Sequence, residues 1–201
     1  MYLPFRYSSD IEKQLLWYLL VSQIFSQRYE QILDIGCGNG DNIKLMRFKK
    51  YTGLEIDKKR ISINNKKYNS KNYKFIYHDI TKKSFKSDYI YDLVLMIQVL
   101  TNSLFVKEKL FESIKHLIKS SSSKFIFNTS RKNVKELNKI DALLKSKKIN
   151  YKKINYGVPL IFRKFKFPIL NQIISFIFFI GIFLKLSFYK DDKVIYICSK
   201  K

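Results

Sequence analysis

Histidine, cysteine and acidic side chains are scarce in this 201-residue chain, and each shortage removes a class of chemistry. The two histidines, His78 and His116, are isolated, and the two cysteines, Cys37 and Cys198, are far apart with no metal-ligand spacing. A metal centre is therefore not expected. Nor is a disulfide framework, which fits a reducing cytosol. Acidic residues number 16 against 39 Lys and Arg, for a formal charge of +23. An excess of this size is the electrostatic footprint of phosphate binding. Two features argue against nucleic acid. There are 33 Lys but 6 Arg, a single alanine (Ala142), and many Ile, Asn, Tyr and Phe, the bias of AT-rich codons. The lysines also fall in scattered pairs such as Lys49-Lys50, Lys66-Lys67 and Lys147-Lys148 rather than in one block. Most of this charge reads as a solvated surface, with an anionic partner, membrane or nucleic acid, as the second reading. The first apolar run is broken by charged and polar residues and no cleavage pattern follows it, unlike a secretory signal.

What is present is the composition of a folded protein. Hydrophobic residues make up 46% and aromatic residues 16%, and the length suits one well-buried core. Asp10 is placed to cap a helix from Ile11 to about Ser26, with Leu15, Leu16, Leu19 and Leu20 at helical spacing.

The most informative stretch is Ile32-Leu33-Asp34-Ile35-Gly36-Cys37-Gly38-Asn39-Gly40. Ile32, Leu33 and Ile35 form the apolar run of a strand covered on both faces, and three alternate glycines then turn the backbone sharply. The turn should feed a short helix through Ile43, Leu45 and Met46, with backbone N–H groups facing a ligand above the strand end. The spacing G-x-G-x-G differs from the dinucleotide fingerprint G-x-G-x-x-G. Preceded by the acid Asp34, it resembles the first motif of the class I S-adenosylmethionine-dependent methyltransferases. The chemistry is consistent, because this cofactor carries no phosphate but has an ammonium group that needs acceptors near the turn.

Further positions carry the resemblance. A second strand, Tyr51 to Asp57, holds Glu55 where nucleoside-binding α/β folds grip ribose hydroxyls, with Ile56 beside it. Asp57 is expected to cap a helix from Lys58 to Lys67. After the third strand, Tyr73 to Tyr77, the resemblance implies that Asp79 accepts from the adenine amine and that Ile80 packs on the ring. The fourth strand, Tyr91 to Ile97, continues through Gln98-Val99-Leu100-Thr101-Asn102 and resembles F-D-L-V-x-x-x-x-V-L-H-H of small-molecule members. Gln98 is then implied near the methionine part of the cofactor. Thr101 and Asn102 stand where histidines are frequent, which excludes a histidine base there. Arg6 and Tyr7 are implied near the cofactor carboxylate. The implied cofactor-binding set is thus Asp34, Gly36, Cys37, Gly38, Gly40, Glu55, Ile56, Asp79, Ile80 and Gln98, with no metal and no nameable catalytic side chain.

A helix from Val106 to Ile118, a strand from Lys124 to Asn128 and a Lys-rich helix from Val134 to Leu144 complete a strand-helix alternation that predicts a mainly parallel sheet. The expected fold class is α/β: a Rossmann-like, doubly wound, mostly parallel seven-stranded sheet with helices on both faces and a final antiparallel strand from Lys193 to Cys198. Within a single domain, residues 1–30 read as an N-terminal helical segment, 31–150 as the cofactor-binding core and 157–192 as an apolar insertion. The insertion contains a basic-aromatic stretch, Phe162 to Pro168, and an apolar run to Leu184 flanked by Lys166 and Lys185. A membrane surface met through residues 162–188, or an acceptor-binding flap, is the leading reading. A buried or dimer helix is the second and a spanning helix the weakest.

The resemblance implies an S-adenosylmethionine-dependent methyltransferase acting on a small-molecule or lipid-linked acceptor by O- or N-methylation. It would be cytoplasmic or peripheral at the membrane. The alternatives are an RNA or other nucleic-acid methyltransferase and an inactive cofactor- or membrane-binding module. No D-P-P-Y or N-P-P-Y stretch ends the fourth strand and no Pro-Cys nucleophile occurs, against the commoner nucleic-acid enzymes.

Overall fold

The computed structural model describes residues 11–24, 26–80, 82–100, 108–118, 122–130, 134–158, 168–184 and 193–200. Asp10, Arg6, Tyr7, Thr101, Asn102 and the stretch 162–167 lie outside them.

Seven strands are β1 (Arg28–Ile35), β2 (Arg47–Glu55), β3 (Tyr73–Tyr77), β4 (Leu93–Leu100), β5 (Lys124–Ser130), β6 (Ile149–Tyr156) and β7 (Lys193–Lys200). They form one sheet in the order β3-β2-β1-β4-β5-β7-β6. Strands β1 to β5 pair in parallel, while β7 runs antiparallel to both β5 and β6. From β1 the chain winds outward to β3, then returns to lay β4 on the other side of β1. The winding direction reverses there, so a crevice opens above the carboxyl ends of β1 and β4.

Side chains alternate across the sheet and divide the core. Ile32, Leu93, Leu95, Ile126 and Ile195 pack on one face beneath α1 (Ile11–Ile24) and α5 (Pro168–Phe183), with Ile61 of α2 (Lys58–Lys67) at its margin. Leu33, Val94, Met96, Phe125, Phe127 and Tyr196 pack on the other, beneath α3 (Glu108–Leu117) and α4 (Val134–Ser146). The four predicted leucines of α1 are all buried. Burial of each contributes about 1.5–3 kcal/mol. On the α3 side, Phe127 stacks on Tyr196 with ring centroids 4.7 Å apart. Across the β1–β4 join, the Asp92 carboxylate accepts from the N–H groups of Glu30 and Gln31 at 2.7 and 2.9 Å.

The sheet reaches beyond the stretches that hydropathy marks. β1 starts at Arg28 and β2 at Arg47, because ladder hydrogen bonds tie their mostly polar first halves and Tyr29 and Phe48 pack on the core from them. β6 carries Lys152 and Lys153 on a sheet edge, where charge opposes pairing with another chain and masks the strand pattern. The expected helix after the glycines is instead one 3-10 turn, Asp41–Leu45, ended by extended backbone at Met46. α2 begins and ends as the sequence predicts, and Asp57 caps it by accepting from the N–H groups of Lys59 and Arg60.

Candidate active site

The glycine turn sits directly after β1 at the reversal of winding. Gly36, Gly38 and Gly40 have φ of 69, 54 and 73°, left-handed values that side chains rarely adopt. Two constraints hold the turn. The N–H groups of Gly36 and Cys37 both donate to the Leu54 carbonyl, at 2.8 and 3.0 Å. Gly36 is also pressed by the neighbouring strand, since a Cβ there would lie inside the Val99 Cγ2 methyl. At Gly38, by contrast, an added Cβ would find nothing nearer than Arg60 Nη1 at 3.6 Å. There is open space above it.

Glu55 closes the turn from the next strand. One carboxylate oxygen accepts from Gly38 N–H at 2.8 Å, and the other from the N–H groups of Ile56 and Asp57 at 2.8 and 3.2 Å. The side chain is 7% exposed. Three donors hold it in place, and the oxygen that accepts from Gly38 N–H still has acceptor capacity for a further partner.

Asp34 is wholly buried beneath the turn. It accepts from Tyr51 Oη at 2.7 Å and from Asn42 Nδ2 at 3.1 and 3.3 Å. Burial pushes its carboxyl up to about 6 despite these bonds, and the nearby Glu55 charge adds to the rise. Cys37 is buried too, and burial together with the Asp34 and Glu55 charges holds its thiol well above the usual range. It is a packing residue with an inert, protonated sulfur.

The ends of β2 and β3 are joined by His78 N–H donating to the Glu55 carbonyl at 3.0 Å. This brings His78 and Asp79 beside Glu55 and Ile56. Asp79 is half-buried and lies 3.7 Å from Lys82 Nζ, while Ile80 turns inward to pack with Leu33, Ile35 and Leu54. Ile56 is the outward apolar residue at this corner, 62% exposed.

Gln98 interrupts β4 with φ 60°, a left-handed conformation uncommon for a residue with a side chain. The ladder to β5 shifts register between Met96 and Leu100. Gln98 N–H donates to Asn128 Oδ1 at 2.6 Å, and Asn128 Nδ2 donates to Tyr156 Oη at 2.9 Å. A locally strained residue held by a buried amide at the carboxyl end of a strand is a feature that concentrates at functional sites.

Several supports of the site escape sequence reading. Gly53, in mid-strand, leaves room for the turn, for a Cβ there would meet Cys37 Sγ at 2.7 Å and Phe75 at 2.9 Å. Asn64 of α2 is buried and donates to the Gly38 carbonyl at 2.8 Å. Tyr51, Asn42, Val99 and Asn128 complete the set. A lone glycine in a strand and a polar residue on the packed side of a helix are the available signals, and both are weak.

A family model described as a methyltransferase domain matches residues 26–173. The chain belongs to the methyltransferase-domain family. No curated protein sequence matches it. Its fold is shared with solved methyltransferases of low identity. N-methyltransferase NodS from Bradyrhizobium japonicum WM9, solved with S-adenosyl-L-homocysteine, superposes with TM-score 0.61 at 11% identity, covering 94% of this chain and 86% of that one. The plantazolicin methyltransferase BpumL, in complex with a triazolic desmethylPZN analog and S-adenosylhomocysteine, gives 0.54 at 19% identity over 94% and 84%. The methyltransferase domain of bacterial CtHen1-C gives 0.59 at 11% identity over 94% and 98%. The class I methyltransferase resemblance of Asp34 to Gly40 and the doubly wound, seven-stranded fold are thus borne out. Among the described residues no cluster of His, Cys, Asp or Glu could hold a metal ion.

Proposed function

We propose that this methyltransferase moves a methyl group from S-adenosylmethionine to the oxygen or nitrogen of a small-molecule or lipid-linked acceptor in the cytoplasm. The observation that carries the cofactor assignment is the cradle formed by Gly38 and Glu55: open space over a glycine whose N–H is fixed by a carboxylate with acceptor capacity left. When bound there, S-adenosylmethionine supplies a methyl group on a positively charged sulfur with a good leaving group. Glu55 would accept from the ribose hydroxyls, and Asp79 from the adenine amine. Ile56 would cover the ring from the solvent side, with Ile80 as the apolar floor beneath it. Gly36, Cys37 and Gly40 set the curvature of the turn. Asp34 would face the ammonium end through Asn42, and Gln98 would border the reacting end. The chain's contribution to rate is alignment in a dry pocket, and a neutral amine acceptor needs no general base.

The test is titration calorimetry with S-adenosylhomocysteine, followed by incubation of a cell extract with the enzyme and methyl-labelled S-adenosylmethionine. Micromolar binding and label in the organic-extractable or small-molecule fraction are expected. Label confined to RNA or protein would move the acceptor class. Absence of any S-adenosylhomocysteine binding would overturn the reading.

A further inference from the structure

Helix α5 buries two polar residues and exposes an apolar stripe. On its packed side Asn171 and Ser175 are fully buried, with Phe178 buried one turn on and Ile174, Phe179 and Ile182 partly buried against the same core. Ser175 Oγ lies 3.1 Å from the Ile11 carbonyl, 3.1 Å from Gln14 Oε1 and 2.6 Å from the Asn171 carbonyl. The outer side is apolar throughout. Ile173, Phe176, Ile177, Ile180, Phe183 and Leu184 are each between 41 and 63% exposed and recur at helical spacing, so they form one continuous stripe. Such a stripe exceeds the scattered apolar exposure ordinary for a protein surface.

The charge around α5 selects what covers it. The helix itself carries no charged residue, and the sequence from Gly157 to Lys190 contains no acid at all. Arg163, Lys164 and Lys166 precede the helix in the chain and Lys185 and Lys190 follow it. Asp191 and Asp192 come next in the sequence, so cations predominate in the flanks without being alone there. An apolar stripe with a mainly cationic flanking sequence matches a surface with an apolar interior and anionic headgroups. A second copy matches poorly, because closing two such faces would bring together chains of charge +23. Crossing the bilayer is not open to this element, since no helix among the described residues is long and apolar enough.

We propose that the outer face of α5 docks the enzyme on an anionic lipid bilayer, lying in the plane of the interface with its six apolar side chains in the acyl boundary. Docking at this surface is independent of cofactor binding, and it would present the enzyme to acceptors held in or near the membrane.

The experiment is flotation of the full chain with vesicles of equimolar phosphatidylcholine and phosphatidylglycerol, and with vesicles of phosphatidylcholine alone, across a salt series. The wild type is compared with the double variant Ile173→Glu, Ile177→Glu, and sedimentation equilibrium is run on both. The wild type should float with the mixed vesicles, less so at high salt or on phosphatidylcholine. The double variant, melting at the wild-type temperature, should partition at least about tenfold more weakly. Equal flotation of the variant would assign binding to the scattered lysines and overturn the proposal. So would a wild-type dimer that the substitutions dissociate, or a wild type that fails to float. S-adenosylhomocysteine affinity is measured separately, so that loss of the cofactor reading and loss of the docking reading are distinct results.

Discussion

Gly38 and Glu55 are bound to each other: the glycine N–H donates to Glu55 Oε2 at 2.8 Å, joining the turn after β1 to the end of β2. Two features that look separate in the sequence are one unit in space. The acid proposed to meet the cofactor also sets the shape of the turn beneath it.

That double role makes Glu55→Gln nearly as harmful as Glu55→Ala. An amide keeps the size of the side chain but replaces one acceptor oxygen with a donor, which would point at Gly38 N–H or at the N–H groups of Ile56 and Asp57. Both variants should lose about 1.5–3 kcal/mol of S-adenosylhomocysteine binding, the cost of a charged hydrogen bond. Calorimetry checks this, and a Gln variant with wild-type affinity would move the contact elsewhere.

The first two glycines of the turn, Gly36 and Gly38, should fail in different ways. Gly36→Ala drives a methyl into Val99 at a positive φ, so chemical denaturation should show a destabilised or unfolded protein. Gly38→Ala meets open space and bears only the left-handed strain, about 1–2 kcal/mol. A folded Gly38→Ala protein that no longer binds S-adenosylhomocysteine is the expected result.

Asp34 imposes a pH dependence of known sign. Its carboxyl titrates at about 6 when folded against about 3.9 in an unfolded chain, so the folded state holds the proton more tightly. The stabilising contribution is present below pH 4 and is lost as pH rises to 6. Asp34→Asn removes this slope. The difference in unfolding free energy, variant minus wild type, should therefore rise between pH 4 and 7 by on the order of 3 kcal/mol. Urea unfolding across that range measures it, and a flat difference would mean that Asp34 is ionised throughout.

Asn128 supports Gln98 from the neighbouring strand, and Asn128→Ala would remove the acceptor facing Gln98 N–H and one hydrogen bond to the buried Tyr156 hydroxyl. A stability loss of about 1–3 kcal/mol is expected. If Gln98 borders the reacting end as proposed, kcat should fall while S-adenosylhomocysteine affinity holds. A parallel fall in affinity would instead put Gln98 against the nucleoside.

Local chemistry is where the sequence was most legible. The glycine spacing, the buried strands around Ile32 to Ile35 and Leu93 to Ile97, the Asp57 cap and both ends of α2 follow from backbone freedom, apolar runs and capping geometry, all of which act over a few residues. The first halves of β1 and β2 and the lysine-bearing edge strand β6 were not legible, because charged side chains there mask the strand pattern while ladder hydrogen bonds hold the backbone. The helix expected after Gly40 is one 3-10 turn, since β2 takes up the chain as early as Arg47.

By itself, the sequence determined the strand-helix alternation of an α/β fold and the glycine turn, because periodicity and motif spacing are properties of neighbouring residues, and the stretch from Asp34 to Gly40 carried the resemblance to the methyltransferase family. Tertiary structure alone decided what each group faces. It buried Asp34 under Tyr51 and Asn42, left Ile56 outside while drawing Ile80 into the core, bent β4 at Gln98 against Asn128, and set Asn171 and Ser175 of α5 inward. Those outcomes depend on contacts between residues far apart in the chain, which form only when the sheet brings its strand ends together.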